Sequence, residues 1–314
     1  MGLPPSPGAA VKRVLRALLL CCLAAAPLQA DSRFVIVCGL GGEPEYERLF
    51  ADWGGRLRRA LLDFGHAPGR VDLLNGGAPA TAAQVEAAIE RAGGEPAPGA
   101  LFVFLLGHGS YRDGRAKLVL EGPDLEAGRL AALLEGTPTA AVINGASSSA
   151  PFINALSGPG RLLCTATKSA EERNAPVFME HFIRGLEDGS ADLDGDERIS
   201  LREACAQGAA LTAGYFAGEG LVATEHALYD GDGDGLGTRP AEAAAGAPAY
   251  LRDWSPPGGT PAAWVEEYRQ ALDQVRGWIA RKGEVEAEAY VRELERLLVR
   301  AARLNLRLRR EAVE

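Results

Sequence analysis

Two short runs of unbroken apolar residues constrain this chain more than any other feature. The first, Leu101-Phe-Val-Phe-Leu-Leu106, stops at Gly107-His108-Gly109-Ser110. The second, Ala140-Ala-Val-Ile143, stops at Asn144-Gly145-Ala146-Ser147-Ser148-Ser149. A strand with one face in water alternates apolar and polar residues, so a run without alternation predicts a strand covered on both faces, as in a parallel sheet. Open α/β sheets gather ligands and chemistry at the C-terminal ends of their strands. A lone histidine at one strand end and three serines at the next therefore mark the candidate site.

The flanking sequence extends the pattern. Residues 33–38, 71–74 and 161–165 read as further strands, and 46–64, 125–134 and 176–186 as helices. Thr81 is placed to cap another helix, and a hairpin is expected around 117–120. This β-α alternation predicts an α/β fold, a mainly parallel sheet with helices on both faces. Gly39-Leu-Gly-Gly42 lacks both the G-x-G-x-x-G spacing and the lysine of a phosphate cradle, which argues against a nucleotide site.

The N-terminus carries Lys12, Arg13 and Arg16, then apolar residues 17–26, then Pro27-Leu-Gln-Ala30. That order is the signature of a secretory signal peptide over residues 1–30, and it predicts an exported, periplasmic or extracellular protein. The apolar run is short for a membrane span, so no stable span is expected once the leader is removed. Loss of its three basic residues takes the net charge from −9 to −12. A chain that acidic has no long-range attraction for nucleic acid or anionic lipid. Cys38, Cys164 and Cys205 remain, an odd number without regular spacing, and are expected to be small buried side chains rather than a disulfide framework.

Downstream, Asp192-Leu-Asp194-Gly-Asp196-Glu-Arg198-Ile199-Ser200-Leu-Arg-Glu203 carries oxygen side chains at loop positions 1, 3, 5, 9 and 12. Calcium needs six or more hard oxygens. Asp192, Asp194, Asp196, the Arg198 carbonyl and Glu203 are the candidate metal ligands of this EF-hand-like loop, whose sixth position is Glu197 in place of the usual glycine. An acidic loop with a helix cap is the alternative. Asp230-Gly-Asp232-Gly-Asp234-Gly235 repeats the opening half without the carboxylate at position 12, and reads better as a flexible acidic loop. Thr224-Glu225-His226 reads as a hydrogen-bonding turn. Residues 237–260 read as a linker and 261–310 as a helical hairpin, free to pack on the first domain, residues 31–236, or on another copy of the chain.

The two strand ends together resemble the caspase-like cysteine peptidases, and within them the legumain side. There a hydrophobic strand precedes His-Gly, and some thirty residues later another strand ends in a small residue and the catalytic cysteine. The resemblance covers residues 33–187 and implies a caspase-like fold with His108 on the catalytic histidine. The family's cysteine falls on Ala146, and Ser148 on a serine two places beyond. Alanine cannot attack, so the resemblance implies a proteolytically inactive relative that binds a peptide or protein. The alternative is an active hydrolase in which Ser147 or Ser148 serves His108 as nucleophile.

Overall fold

The computed structural model describes residues 32–74, 79–94, 99–243, 248–253, 262–279, 281–283 and 285–310. The expected leader and part of the expected linker lie outside them. The chain divides into two compact units: Ala30–Leu193 with Glu197–Asp253, and a second unit that holds the C-terminal helices.

The first unit begins with β1 (Arg33–Cys38), α1 (Pro44–Asp63), β2 (Val71–Leu74), α2 (Ala82–Gly93) and β3 (Leu101–Leu106). Three short strands follow, β4 (Gly109–Arg112), β5 (Arg115–Leu118) and β6 (Leu125–Glu126), then α3 (Ala127–Leu133), β7 (Ala140–Asn144), α4 (Pro151–Leu156) and β8 (Arg161–Thr165). The unit closes with α5 (Phe178–Glu187), β9 (Ile199–Ser200), α6 (Leu201–Gly218), β10 (Leu228–Asp230) and β11 (Tyr250–Arg252). The main sheet has the order β10-β8-β7-β3-β1-β2, parallel throughout except for β10.

The unbroken apolar runs are buried on both faces because successive side chains point to opposite sides of the sheet. Phe34, Ile36, Phe102, Phe104, Ala141 and Ile143 enter one core with residues of α1, α5 and α6. Val35, Val37, Leu101, Val103, Ala140 and Val142 enter the other with residues of α2, α3 and α4. Polar contacts tie α1 to α5: the Trp53 Nε1–H donates to Glu180 at 2.8 Å, and Arg56 reaches Glu180 and Glu187 at 2.7 Å each. Thr81 caps α2 and closes a capping box with Gln84.

The structure corrects or extends the sequence expectations at four points. Cys164 on β8 and Cys205 on α6 form a disulfide, leaving Cys38 as the free buried thiol; the residues are 41 apart, and their proximity follows from α6 packing over the sheet rather than from any spacing motif. The sheet gains an antiparallel edge, β10, three residues long and therefore too short to show a period. The expected linker is partly structural: Thr238 bridges Tyr229, and β11 pairs with β9 with Leu251 fully buried. His66 and His181, which carry no signal in the sequence, are buried, and burial lowers the pKa of each. The expected hairpin around 117–120 is present: Lys117 and Leu118 of β5 pair antiparallel with β6 and, across a tight turn at Asp113 and Gly114 with positive φ, with β4.

The second unit is an antiparallel pair of helices, α7 (Ala262–Ile279) and α8 (Ala287–Arg310). Trp278 stacks on Tyr290, Asn305 donates to the Tyr268 hydroxyl, and Arg307 lies over Trp264, which sets the direction of pairing. No helix among the described residues is long and apolar enough to cross a membrane.

Candidate functional site

β3 and β7 are hydrogen-bonded neighbours with Leu105 opposite Asn144, so the loops that follow them emerge side by side. They are stitched together at Gly109 and Ser147. The Gly109 N–H donates to Ser147 Oγ at 3.1 Å, and the Ser147 hydroxyl donates to the Gly109 carbonyl at 3.2 Å. A side chain at Gly109 would collide with the Ser147 carbonyl, which explains the glycine after the histidine. Gly145 is fixed in the same way by Met179.

His108 is half-buried, its ring edge-on to Tyr46 and Phe50 at centroid distances of 4.7 and 5.1 Å. Its Nε2 lies 3.2 Å from the Gly41 carbonyl. A carbonyl only accepts, so Nε2 is the donor in this bond. Ala146 is buried beside Gly109. The three serines are also buried, and their hydroxyls are engaged elsewhere: Ser147 with Gly109, Ser148 with the Ala170 carbonyl at 2.8 Å, and Ser149 with Thr167 at 3.0 Å. The structure thus brings His108 and Ala146–Ser149 to one end of the sheet, while no hydrogen bond among the described residues joins the imidazole to a serine. Ser148 holds φ at +50°, a strained value for a side-chain-bearing residue, and is pinned there by its N–H to the Glu172 carbonyl and its hydroxyl to Ala170. Asn144 is buried with Oδ1 accepting the Ala146 N–H, while Nδ2 has no partner.

Beside these loops opens a cleft of about 410 Å³. Arg112 and Lys117 from the β4–β5 hairpin and Arg173 from the loop after β8 line it, opposed by Asp124. Ser148 and Tyr111 complete its walls. Three cations and one carboxylate line it, and Lys117 is also paired with Glu126 at 3.2 Å, so Arg112 and Arg173 carry most of its positive charge. Sequence reasoning missed it because Arg173 joins the hairpin only through the tertiary fold; the paired cations of the hairpin itself were the available signal.

The loop preceding α6 brings Asp192, Asp194 and Asp196 together, with one oxygen of each within 4.8 Å of the others. Glu197 adopts φ +67°, the left-handed conformation that glycine normally supplies at the sixth position. Its N–H donates to Asp192 Oδ2 at 3.0 Å. Glu203 lies outside the aspartate group and closes a capping box with Ser200 at the start of α6. Its Oε2 accepts from Ser200, whereas Oε1 is buried without a partner. The Arg198 side chain pairs with Asp253 at 2.8 Å and lies over Tyr250.

The second acidic loop repeats the backbone pattern: Gly235, at φ +77°, donates to Asp230, and the Asp234 N–H donates to Asp232. Asp230 is buried and accepts from Ser157 and Gly233 as well. Glu225 accepts the N–H groups of Val177 and Phe178 at the start of α5, and burial pushes its pKa up to about 7 against those two bonds. His226 pairs with Glu172 at 2.6 Å. Residues 224–226 are thus tied down by hydrogen bonds, but they form no turn where their sequence suggests one.

A scan against protein-family models and a search of curated proteins each find no match to this chain.

Proposed function

We propose that this protein is an exported, proteolytically inactive relative of the caspase/legumain-like peptidases that binds an acidic peptide or protein segment and is steadied by calcium. The observation that carries the reading is the meeting of His108 and the Ala146–Ser149 loop at neighbouring strand ends, beside the basic cleft. At the position where the resemblance places a sulfur there is a buried methyl group, and the nearby hydroxyls serve backbone carbonyls or Thr167. Arg112, Lys117 and Arg173 favour a ligand rich in carboxylates, and the exposed main chain of a hairpin edge can pair with an extended segment. The leader pattern supports export, and the Cys164–Cys205 bond suits an oxidising compartment.

Asp192, Asp194, Asp196, the Arg198 carbonyl and Glu203 would hold the calcium. The left-handed Glu197 and the unpartnered buried Glu203 oxygen fit such an ion. It would supply charge neutralisation and a cross-link between the loop and the first turn of α6, and no chemistry.

The test is a panel of acidic and neutral peptides assayed for both turnover and binding. The expected result is binding of acidic peptides without cleavage, weakened about tenfold, roughly 1.4 kcal/mol, by Arg112→Glu and by added salt. Affinity should survive Ser147→Ala. Turnover that disappears in both His108→Ala and Ser147→Ala would establish the hydrolase alternative instead.

A further inference from the structure

The outer face of α8 carries a second apolar stripe, distinct from the one that packs on α7. Leu297, Ala301 and Leu308 face α7, where they meet Tyr268, Leu272 and Val275. Val291, Leu298, Val299 and Leu306 are exposed, from 43% to 59%. At 100° per residue these four fall within an arc of about 100°, which Ala302 and the exposed Glu295 share.

Their spacing is self-complementary. Val291 lies seven residues before Leu298, and Leu306 seven after Val299, so the four positions are symmetric about the point between Leu298 and Val299. The charges are polarised about the same point. Before it stand Glu288, Glu293 and Glu295, with Glu286 just ahead of the helix, against two arginines, Arg292 and Arg296. After it stand Arg300, Arg303, Arg307, Arg309 and Arg310, and no acidic residue up to the end of α8.

We infer that α8 is a homotypic contact, pairing antiparallel with α8 of a second copy about a two-fold axis through Leu298 and Val299. That arrangement sets Val291 of each copy against Leu306 of the other and Glu295 next to the opposing Arg303. A parallel pairing would set acidic half against acidic half and basic against basic, which costs what the antiparallel one gains. The strip from Val291 to Leu306 is about 22 Å long, a small contact area that suits a reversible dimer rather than an obligate one. The inference is independent of what the cleft binds.

The test uses the full chain with Cys21 and Cys22 changed to serine, so that Cys38 in the core and the Cys164–Cys205 pair are the other cysteines present. Sedimentation velocity from about 1 to 100 μM should show a monomer–dimer equilibrium, and L298E/V299E should leave only monomer with an unchanged far-ultraviolet spectrum. On oxidation, L298C alone should yield a covalent dimer, because the residue sits beside the axis. V291C alone should not, whereas V291C mixed with L306C should. Self-crosslinking of V291C would overturn the antiparallel arrangement. A chain that stays monomeric across the range would overturn the proposal, whether the L298C thiol is shielded from alkylation by the chain's own first unit or the strip instead binds anionic phospholipid vesicles.

Discussion

The disulfide is the strongest single constraint that the fold adds to the sequence, and its contribution can be worked out. Cys164 lies on an interior strand and Cys205 on α6, both fully buried, 41 positions apart in the chain. The chain-entropy relation for a loop of that length gives about 4 kcal/mol at 25 °C, by restricting the unfolded chain. For a cooperative unit of about this size each kcal/mol moves the melting temperature by roughly 2–4 °C, so reduction should lower it by about 8–16 °C. Calorimetry with and without dithiothreitol isolates the cross-link, because both sulfurs stay in the core. The C164A/C205A variant also removes those sulfurs and should lose roughly 1–2 kcal/mol more. Cys38 will not confuse the result: burial pushes its pKa up to about 12, so it supplies no thiolate for exchange. A reduced protein melting within about 2 °C of the oxidised one would refute the entropic reasoning. Two titratable thiols in the native protein at Cys164 and Cys205 would refute the bond itself.

Three further outcomes follow from named residues. Glu197→Gly relieves a left-handed backbone at a non-glycine residue and should gain about 1 kcal/mol, seen as a melting temperature raised by roughly 2–4 °C; a lower value would mean that the Glu197 side chain matters more than its φ. Millimolar calcium should raise the melting temperature of the native protein and leave that of Glu203→Gln unchanged; an equal rise in both would take Glu203 out of the site. His66 and His181 are buried with pKa values lowered by desolvation, so as pH falls below their ordinary 6.5 the unfolded chain takes up protons that the folded chain refuses. Stability is therefore present above that pH and lost below it, and His181→Phe should flatten the slope of melting temperature between about pH 5 and 6.5.

Much of the architecture is visible in local patterns. Burial on both faces of a parallel sheet demands apolar residues along the strand, and the runs Leu101–Leu106 and Ala140–Ile143 announce it without reference to the rest of the chain. Thr81 marks a helix start by its own side chain, and the alternation of elements implies that the ends of β3 and β7 emerge near one another. The convergence of Asp192, Asp194 and Asp196 is legible for the same reason: they are close in sequence, so spacing alone encodes it.

Other features depend on partners distant in the chain. β10 and β11 are too short to carry a period and exist because β8 and β9 offer edges to pair with. The serines read as candidate nucleophiles because their type and place suit one, yet their hydroxyls are committed to Gly109, Ala170 and Thr167, the last two some twenty residues away. The cleft needs Arg173 beside a hairpin sixty residues earlier. The sequence alone determined which segments must be buried and where backbone conformation is unusual, since both are written in neighbouring residues. Which side chains meet, and so which hydroxyl is spent, which thiols bond and where positive charge gathers, was decided only when the packed helices and sheet brought remote positions within a few ångströms.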